Sequence, residues 1–183
     1  MSRLIDLFLR DGFSQQSLED FAQALHCSKS TLYQIASSKE QVILTTLRGF
    51  FRRAAGRVER RIVSDTSSPV DRIHSYLMAI SEELAPASPA FFADLDAAPS
   101  AREIYQENTR IAADRLQELV REALPGASSE RALFVGAVAT QVMEAIHRGE
   151  IETATGLDDS AAYRALADLI IAGIDSAATE GEE

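Results

Sequence analysis

The chain is poor in the residues that build stapled or metal-held scaffolds. Its lone cysteine, Cys27, excludes an internal disulfide framework, and three histidines without a Cys or His cluster offer no pattern for a structural zinc site. No run reaches the ~18 apolar residues that membrane spanning requires. The N-terminal MSRLIDLFLRDGF mixes acidic with apolar residues, unlike a signal peptide. These absences point to a soluble protein of the reducing cytoplasm. Strand signals are also missing: there is no alternating Val/Ile/Thr run and no Asn-Gly hairpin turn. Nor is there a Gly-rich phosphate loop, a nucleophile elbow or a Cys–His pair, which argues against an enzyme.

What is present is a helical pattern with an uneven charge. At 183 residues and 46% hydrophobic, the chain suffices for one large domain or two small ones sharing a core. The net charge of −10 is split: residues 1–61 carry ten Lys/Arg against six acids, and the remainder eight against twenty-two. A basic head on an acidic body confines any polyanion contact to the head, because phosphate binding follows local Lys/Arg density. A solvated charged helix face is the alternative, and it applies equally to Arg52, Arg53, Arg57, Arg60 and Arg61.

Breakers at Gly12, HCS (26–28), SSP (67–69), APASP (85–89), Pro99, PGASS (125–129) and TGLDDS (155–160) leave helical windows between them. They predict about nine helices, near 3–11, 18–25, 29–35, 39–63, 69–85, 89–97, 100–123, 129–148 and 160–178, and an all-α fold. Ser17 with Asp20 and Ser38 with Gln41 have capping-box spacing, Ser28 precedes the third helix, and Ser160 opens the last.

The stretch CSKSTLYQIASSKEQV, Cys27 to Val42, concentrates the chemistry. Two short capped helices joined by a three-residue turn have the dimensions of a helix-turn-helix, whose second helix enters the major groove. Phe21, Ala22, Leu25 and Leu32 can meet as a small core, leaving Lys29, Ser30, Thr31, Tyr33 and Gln34 outward. Lys39 and the N–H groups after Ser38 offer a phosphate site.

Residues 4–43, LIDLFLRDGFSQQSLEDFAQALHCSKSTLYQIASSKEQVI, resemble the TetR family of transcriptional regulators. The likeness lies in the Phe-x-x-x-Gly-Phe end of the first helix, the Ser-x-x-x-Phe-Ala start of the second, the Ser-Lys-x-Thr-Leu-Tyr recognition helix and the Ser-Lys-Glu opening of the fourth. The resemblance implies a DNA-binding domain over 1–45 and an effector-binding and dimerisation domain over 46–183. It implies DNA contacts by Thr31 and Tyr33, a phosphate contact by Lys39, and Lys29 and Ser30 at the helix entrance. It further implies a cytoplasmic homodimer on a palindromic DNA operator, released by a small-molecule effector, with no cofactor. The chain departs from the family pattern at His26, where Gly is usual, at Ile35, often His or Tyr, at Ala36, usually Phe, and in having only Arg3 as a basic residue ahead of the first helix. A TetR-like sensor or partner protein with weakened or lost DNA binding therefore stays open.

Two further sites are read from the helical faces. Phe134, Val138, Gln141 and Val142 share a face of one helix, and Tyr163, Leu166, Ile170 and Ile174 share a face of the last. Together they predict a twofold dimer through a four-helix bundle. Asn108 and Arg115 share a stripe with Ile104 and Ile111. With His74, Tyr76, Met78, Phe91, Phe92, Met143 and His147 they form the predicted pocket for an effector of mainly apolar character. The alternative is that Asn108 bonds to a neighbouring helix and the Phe pair is ordinary core. Glu144 and His147 (EAIH) also form a Glu-x-x-His motif of the kind that ligates di-iron centres. Its only partial counterpart is Asp71 with His74, so a metal-dependent helical enzyme is a third, weaker reading.

Overall fold

The computed structural model describes residues 1–123 and 129–180. Among them lie ten α-helices and no strand: α1 Ser2–Asp11, α2 Leu18–Ala24, α3 Lys29–Tyr33, α4 Lys39–Ser64, α5 Pro69–Leu84, α6 Pro89–Ala97, α7 Pro99–Ala123, α8 Ser129–His147, α9 Glu150–Thr155 and α10 Asp159–Glu180. Nine stand within a few residues of the positions that breakers and caps indicate. The addition is α9, six residues with no buried side chain, which leaves no periodic signal to read.

Serine hydroxyls cap five of the helix starts among the described residues. Ser17 and Asp20 form both halves of a capping box, and Ser28 accepts from the Thr31 N–H. Ser38 accepts from the Gln41 N–H at 3.2 Å, but the Gln41 amide oxygen turns to the Ser37 hydroxyl at 2.6 Å instead of closing its box. Ser68 and Ser88 cap α5 and α6, each followed by proline at a position where a missing N–H costs nothing. The last helix begins before Ser160, because the Asp158 carboxylate accepts from the Ala161 N–H at 2.8 Å.

The helices sort into two compact units, Met1–Ala54 with Pro86–Asn108, and Ala55–Ala85 with Thr109–Glu183. Packing thus divides elsewhere than at residue 45. The reason is aromatic. In the first unit, ring centroids run from Phe21 to Phe8 (5.1 Å), Phe8 to Phe13 (5.4 Å), Phe13 to Phe91 (6.1 Å) and Phe91 to Phe50 (6.0 Å). Phe92 joins Phe91 at 5.5 Å and Tyr105 at 6.3 Å. Several of these pairs are edge-to-face, the arrangement that the ring quadrupole favours. Residues from α4, α6 and α7 therefore complete the core beneath the helix-turn-helix.

The second unit is aliphatic. Ile62, Ile73, Leu77, Leu116, Leu119, Met143, Ile146, Leu166, Ala167 and Ile174 close its core, and α10 packs chiefly on α5. At its surface Arg57 pairs with Glu83 and Arg61 with Glu82, so two of the basic residues of α4 are held by carboxylates.

One backbone feature carries a testable cost. His26, in the turn between α2 and α3, has φ 51°, the left-handed region that favours glycine. A β-branched residue is worst suited to that conformation. His26→Val should lower unfolding stability by about 1–2 kcal/mol in denaturant titration, while His26→Gly should match or exceed the parent. A valine variant as stable as the parent would contradict the strain.

Candidate functional site

The helix-turn-helix is built from α2, a turn and α3. Leu18, Phe21 and Ala22 of α2 and Leu32 of α3 are buried, and Leu25 is half-buried. The turn closes through Cys27 N–H to the Ala22 carbonyl at 2.9 Å and His26 N–H to the Gln23 carbonyl at 3.1 Å. Cys27 is half-buried, as suits a small apolar filler.

With Leu32 turned inward, Lys29, Ser30, Thr31, Tyr33 and Gln34 are all exposed on or beside α3. These five predicted residues thus form one outward patch. Tyr33, 48% exposed, is a large apolar ring with a polar tip held in solvent. Two of the group carry internal contacts: the Thr31 hydroxyl lies 3.0 Å from the Ser28 hydroxyl, and the Lys29 ammonium pairs with Glu19 of α2. That pair holds the Lys29 pKa above its ordinary value.

Lys39, read as a phosphate contact, also has a partner within the chain. It is half-buried, and its Nζ donates to the Ser14 carbonyl at 2.9 Å. Ser14 in turn is gripped by Asp94 of α6, a residue that sequence reading missed. Asp94 Oδ2 accepts from the Phe13 N–H at 2.5 Å and the Ser14 N–H at 2.8 Å, and Oδ1 accepts from the Ser14 hydroxyl. No local pattern could reveal a pair eighty positions apart.

The predicted effector residues fall into both units. In the first, Phe91 and Phe92 are core members of the aromatic chain, and Asn108 donates to the Ile104 carbonyl of its own helix at 2.7 Å. Phe91 and Phe92 pack as ordinary core, whereas Asn108 bonds back to its own helix and not to a neighbouring one. In the second, Tyr76 is buried and donates to the Ala112 carbonyl at 3.0 Å, with burial pushing its phenol up. Met143 is buried, while His74 and Met78 are half-buried. Arg115 does not wait for an anion: its guanidinium bonds Glu59 through two nitrogens at 3.2 Å and Glu118 at 2.9 Å. His147 is buried against Tyr163, its Nε2 2.9 Å from the phenol oxygen.

The metal reading finds its residues engaged otherwise. Glu144 pairs with Arg148 at 3.3 Å and His147 faces Tyr163. Among the described residues no group of three His, Cys, Asp or Glu is placed to hold a metal ion.

The predicted dimer residues of α10 are largely covered within the chain. Tyr163, Leu166, Ile170 and Ile174 are buried within their own unit, where α10 packs on α5 and α8, and Leu166, Ile170 and Ile174 also line the floor of a groove shared with Phe134 and Val138. Among the described residues of α10, the exposed large apolar side chain is Leu169, 66% exposed. On α8, Phe134 is 69% exposed, Gln141 is exposed, and Val138 and Val142 are half-buried. Phe134, Val138, Leu169 and Gly173 border an open apolar groove of about 210 Å³, with Arg131 bridging to the Gly173 carbonyl at 3.2 Å.

Comparison with solved structures identifies the fold. A TetR/AcrR-family regulator from Thermobifida fusca YX-ER1 superposes over 93% of each chain at TM-score 0.64 and 20% identity. The fatty acid degradation regulator FadR of Bacillus halodurans covers 94% of this chain and 96% of its own at TM-score 0.65 and 13% identity. PfmR, a TetR-family regulator of Thermus thermophilus, covers 92% and 97% at TM-score 0.61 and 19% identity. No family model and no curated protein sequence matches the chain. The chain has the TetR-regulator fold. Among the described residues no helix is long and apolar enough to cross a membrane.

The His147 environment predicts a pH effect. Burial lowers its pKa from 6.5 to about 4, so between these values the unfolded chain binds the proton that the folded chain refuses. Stability is complete above about pH 6.5 and falls as pH drops toward 4. The loss from this group should be about 2 kcal/mol between pH 7 and pH 5. Denaturant titrations of the parent and His147→Gln should differ by that slope. Parallel pH profiles would show that His147 titrates normally.

Proposed function

We propose that the chain is a homodimeric DNA-binding transcriptional regulator, with α3 as its recognition helix. The observation that carries this reading is the exposed patch of Lys29, Ser30, Thr31, Tyr33 and Gln34, presented by a helix-turn-helix in a TetR-regulator fold. Such a helix lays its outward side chains on base edges, while flanking lysines and helix starts hold phosphates. The operator is then palindromic, with half-sites one turn of about 34–36 Å or a similar distance apart. As a repressor, the protein leaves DNA when a small, mainly apolar molecule binds its DNA-free state more tightly than its bound state.

The dimer follows from α8 and α10. A large exposed phenylalanine beside an exposed leucine and an apolar groove is the kind of surface that a monomer rarely leaves open. A second copy related by a twofold axis presents the same surface in return.

Two measurements test this. Selection from a random double-stranded DNA library should enrich a palindromic duplex, and Tyr33→Ala should weaken binding to it about tenfold or more with unchanged thermal unfolding. Failure of the parent to enrich any duplex would favour the alternative of a TetR-like sensor that no longer binds DNA. For assembly, Leu169→Asp and Phe134→Asp place a charge on exposed positions and spare the core. Light scattering at micromolar concentration should report a dimer for the parent and monomers for both variants, and a monomeric parent would reject the interface.

A further inference from the structure

Two charged side chains meet on opposite sides of one residue in the first unit. On one side, the Asp94 carboxylate takes the Phe13 N–H at 2.5 Å, the Ser14 N–H at 2.8 Å and the Ser14 hydroxyl. On the other, the Lys39 ammonium donates to the Ser14 carbonyl at 2.9 Å. The adjoining backbone is shaped for this grip. Gly12 has φ 73°, and a Cβ there would lie 2.5 Å from Asp94 Oδ2, so only glycine lets the carboxylate reach the loop. A second bond ties α6 to α1: the Ser88 N–H donates to the Leu9 carbonyl at 2.7 Å.

We propose that Asp94 is a positioning residue for Lys39, acting through Ser14 to fix the ammonium where it meets a DNA phosphate. The phosphate role rests on the DNA-binding reading. Lysine carries its charge on a flexible four-carbon stem, so an unanchored Lys39 would sample many directions. The Ser14 carbonyl selects one and leaves the ammonium two further N–H donors. The carbonyl holds its place because the carboxylate fixes the N–H groups of the same loop, and bonds in such a chain polarise and strengthen one another. Asp94 is far from α3 in sequence and makes no DNA contact in this account; it acts on the phosphate only through Lys39.

Lys29 and Lys39 are the only lysines in the chain, which gives the test an internal reference. Limited acetylation with acetic anhydride, read by mass spectrometry, should modify Lys39 several-fold faster relative to Lys29 in Asp94→Ala than in the parent. Asp94→Asn keeps one acceptor and should fall between them, and it serves if the alanine variant unfolds. On the library-selected duplex, Asp94→Ala and Lys39→Ala should each lower the log–log salt slope by about one, and the double variant should lower it no further. A merely structural role for Asp94 would weaken binding in both backgrounds alike. An unchanged Lys39-to-Lys29 ratio in both Asp94 variants, or slope losses that add in the double variant, would overturn the relay. A parent that selects no duplex would remove the phosphate role together with the DNA-binding reading, while the acetylation ratio would still decide the Asp94–Ser14–Lys39 linkage.

Discussion

The first unit depends on the aromatic chain that passes through Phe91. That ring lies about 6 Å from both Phe13 and Phe50 and 5.5 Å from Phe92, so one side chain of α6 joins the loop after α1, the middle of α4 and its own helix. Each such ring contributes about 1.5–3 kcal/mol through burial alone. With the apolar requirement met by these rings, α3 needs to bury only Leu32 to stay docked. Its other side chains are left in solvent, and the outward patch is a consequence of that division.

The polar grip on the α1–α2 loop builds on the same packing. Phe13 is both a member of the aromatic chain and, through its N–H, a donor to Asp94. Apolar packing therefore brings α6 close enough for its carboxylate to satisfy backbone groups that would otherwise need water. The loop is held by a residue distant in sequence, and the start of α4 is held by the loop. In the second unit the division runs differently: aliphatic side chains close the core, and the polar pair His147 and Tyr163 is enclosed within it. Phe134 is the phenylalanine left outside both cores, and it lines the same open groove as Leu169.

Local signals were legible in the sequence, and long-range ones were not. Caps at Ser17 and Ser28 rest on residues three positions apart, and both form as the spacing indicates. The outward face of α3 follows from the single buried Leu32 in a five-residue helix. By contrast, α10 has apolar residues on more than one face, and periodicity alone could not say that Tyr163, Leu166, Ile170 and Ile174 turn inward while Leu169 turns out. Arg115 reads as an anion ligand until Glu59 is brought to it from another helix. Asn108 finds its partner one turn back, on its own helix. Asp94 carried no sequence signal, because its three donors belong to a loop some eighty residues earlier. Departures from the family pattern also have a physical cost that can be located: His26 stands at φ 51°, where glycine would be unstrained.

In the proposed complex the exposed face of α3 lies in the major groove, once per protomer, on a twofold site. Dimethyl sulfate footprinting on the library-selected duplex reads that directly, since guanine N7 lies in the major groove. Two protected clusters are expected, symmetric about the palindrome and separated by about one helical turn or a similar distance. Binding that leaves every guanine N7 reactive, or that protects a single asymmetric cluster, would contradict it.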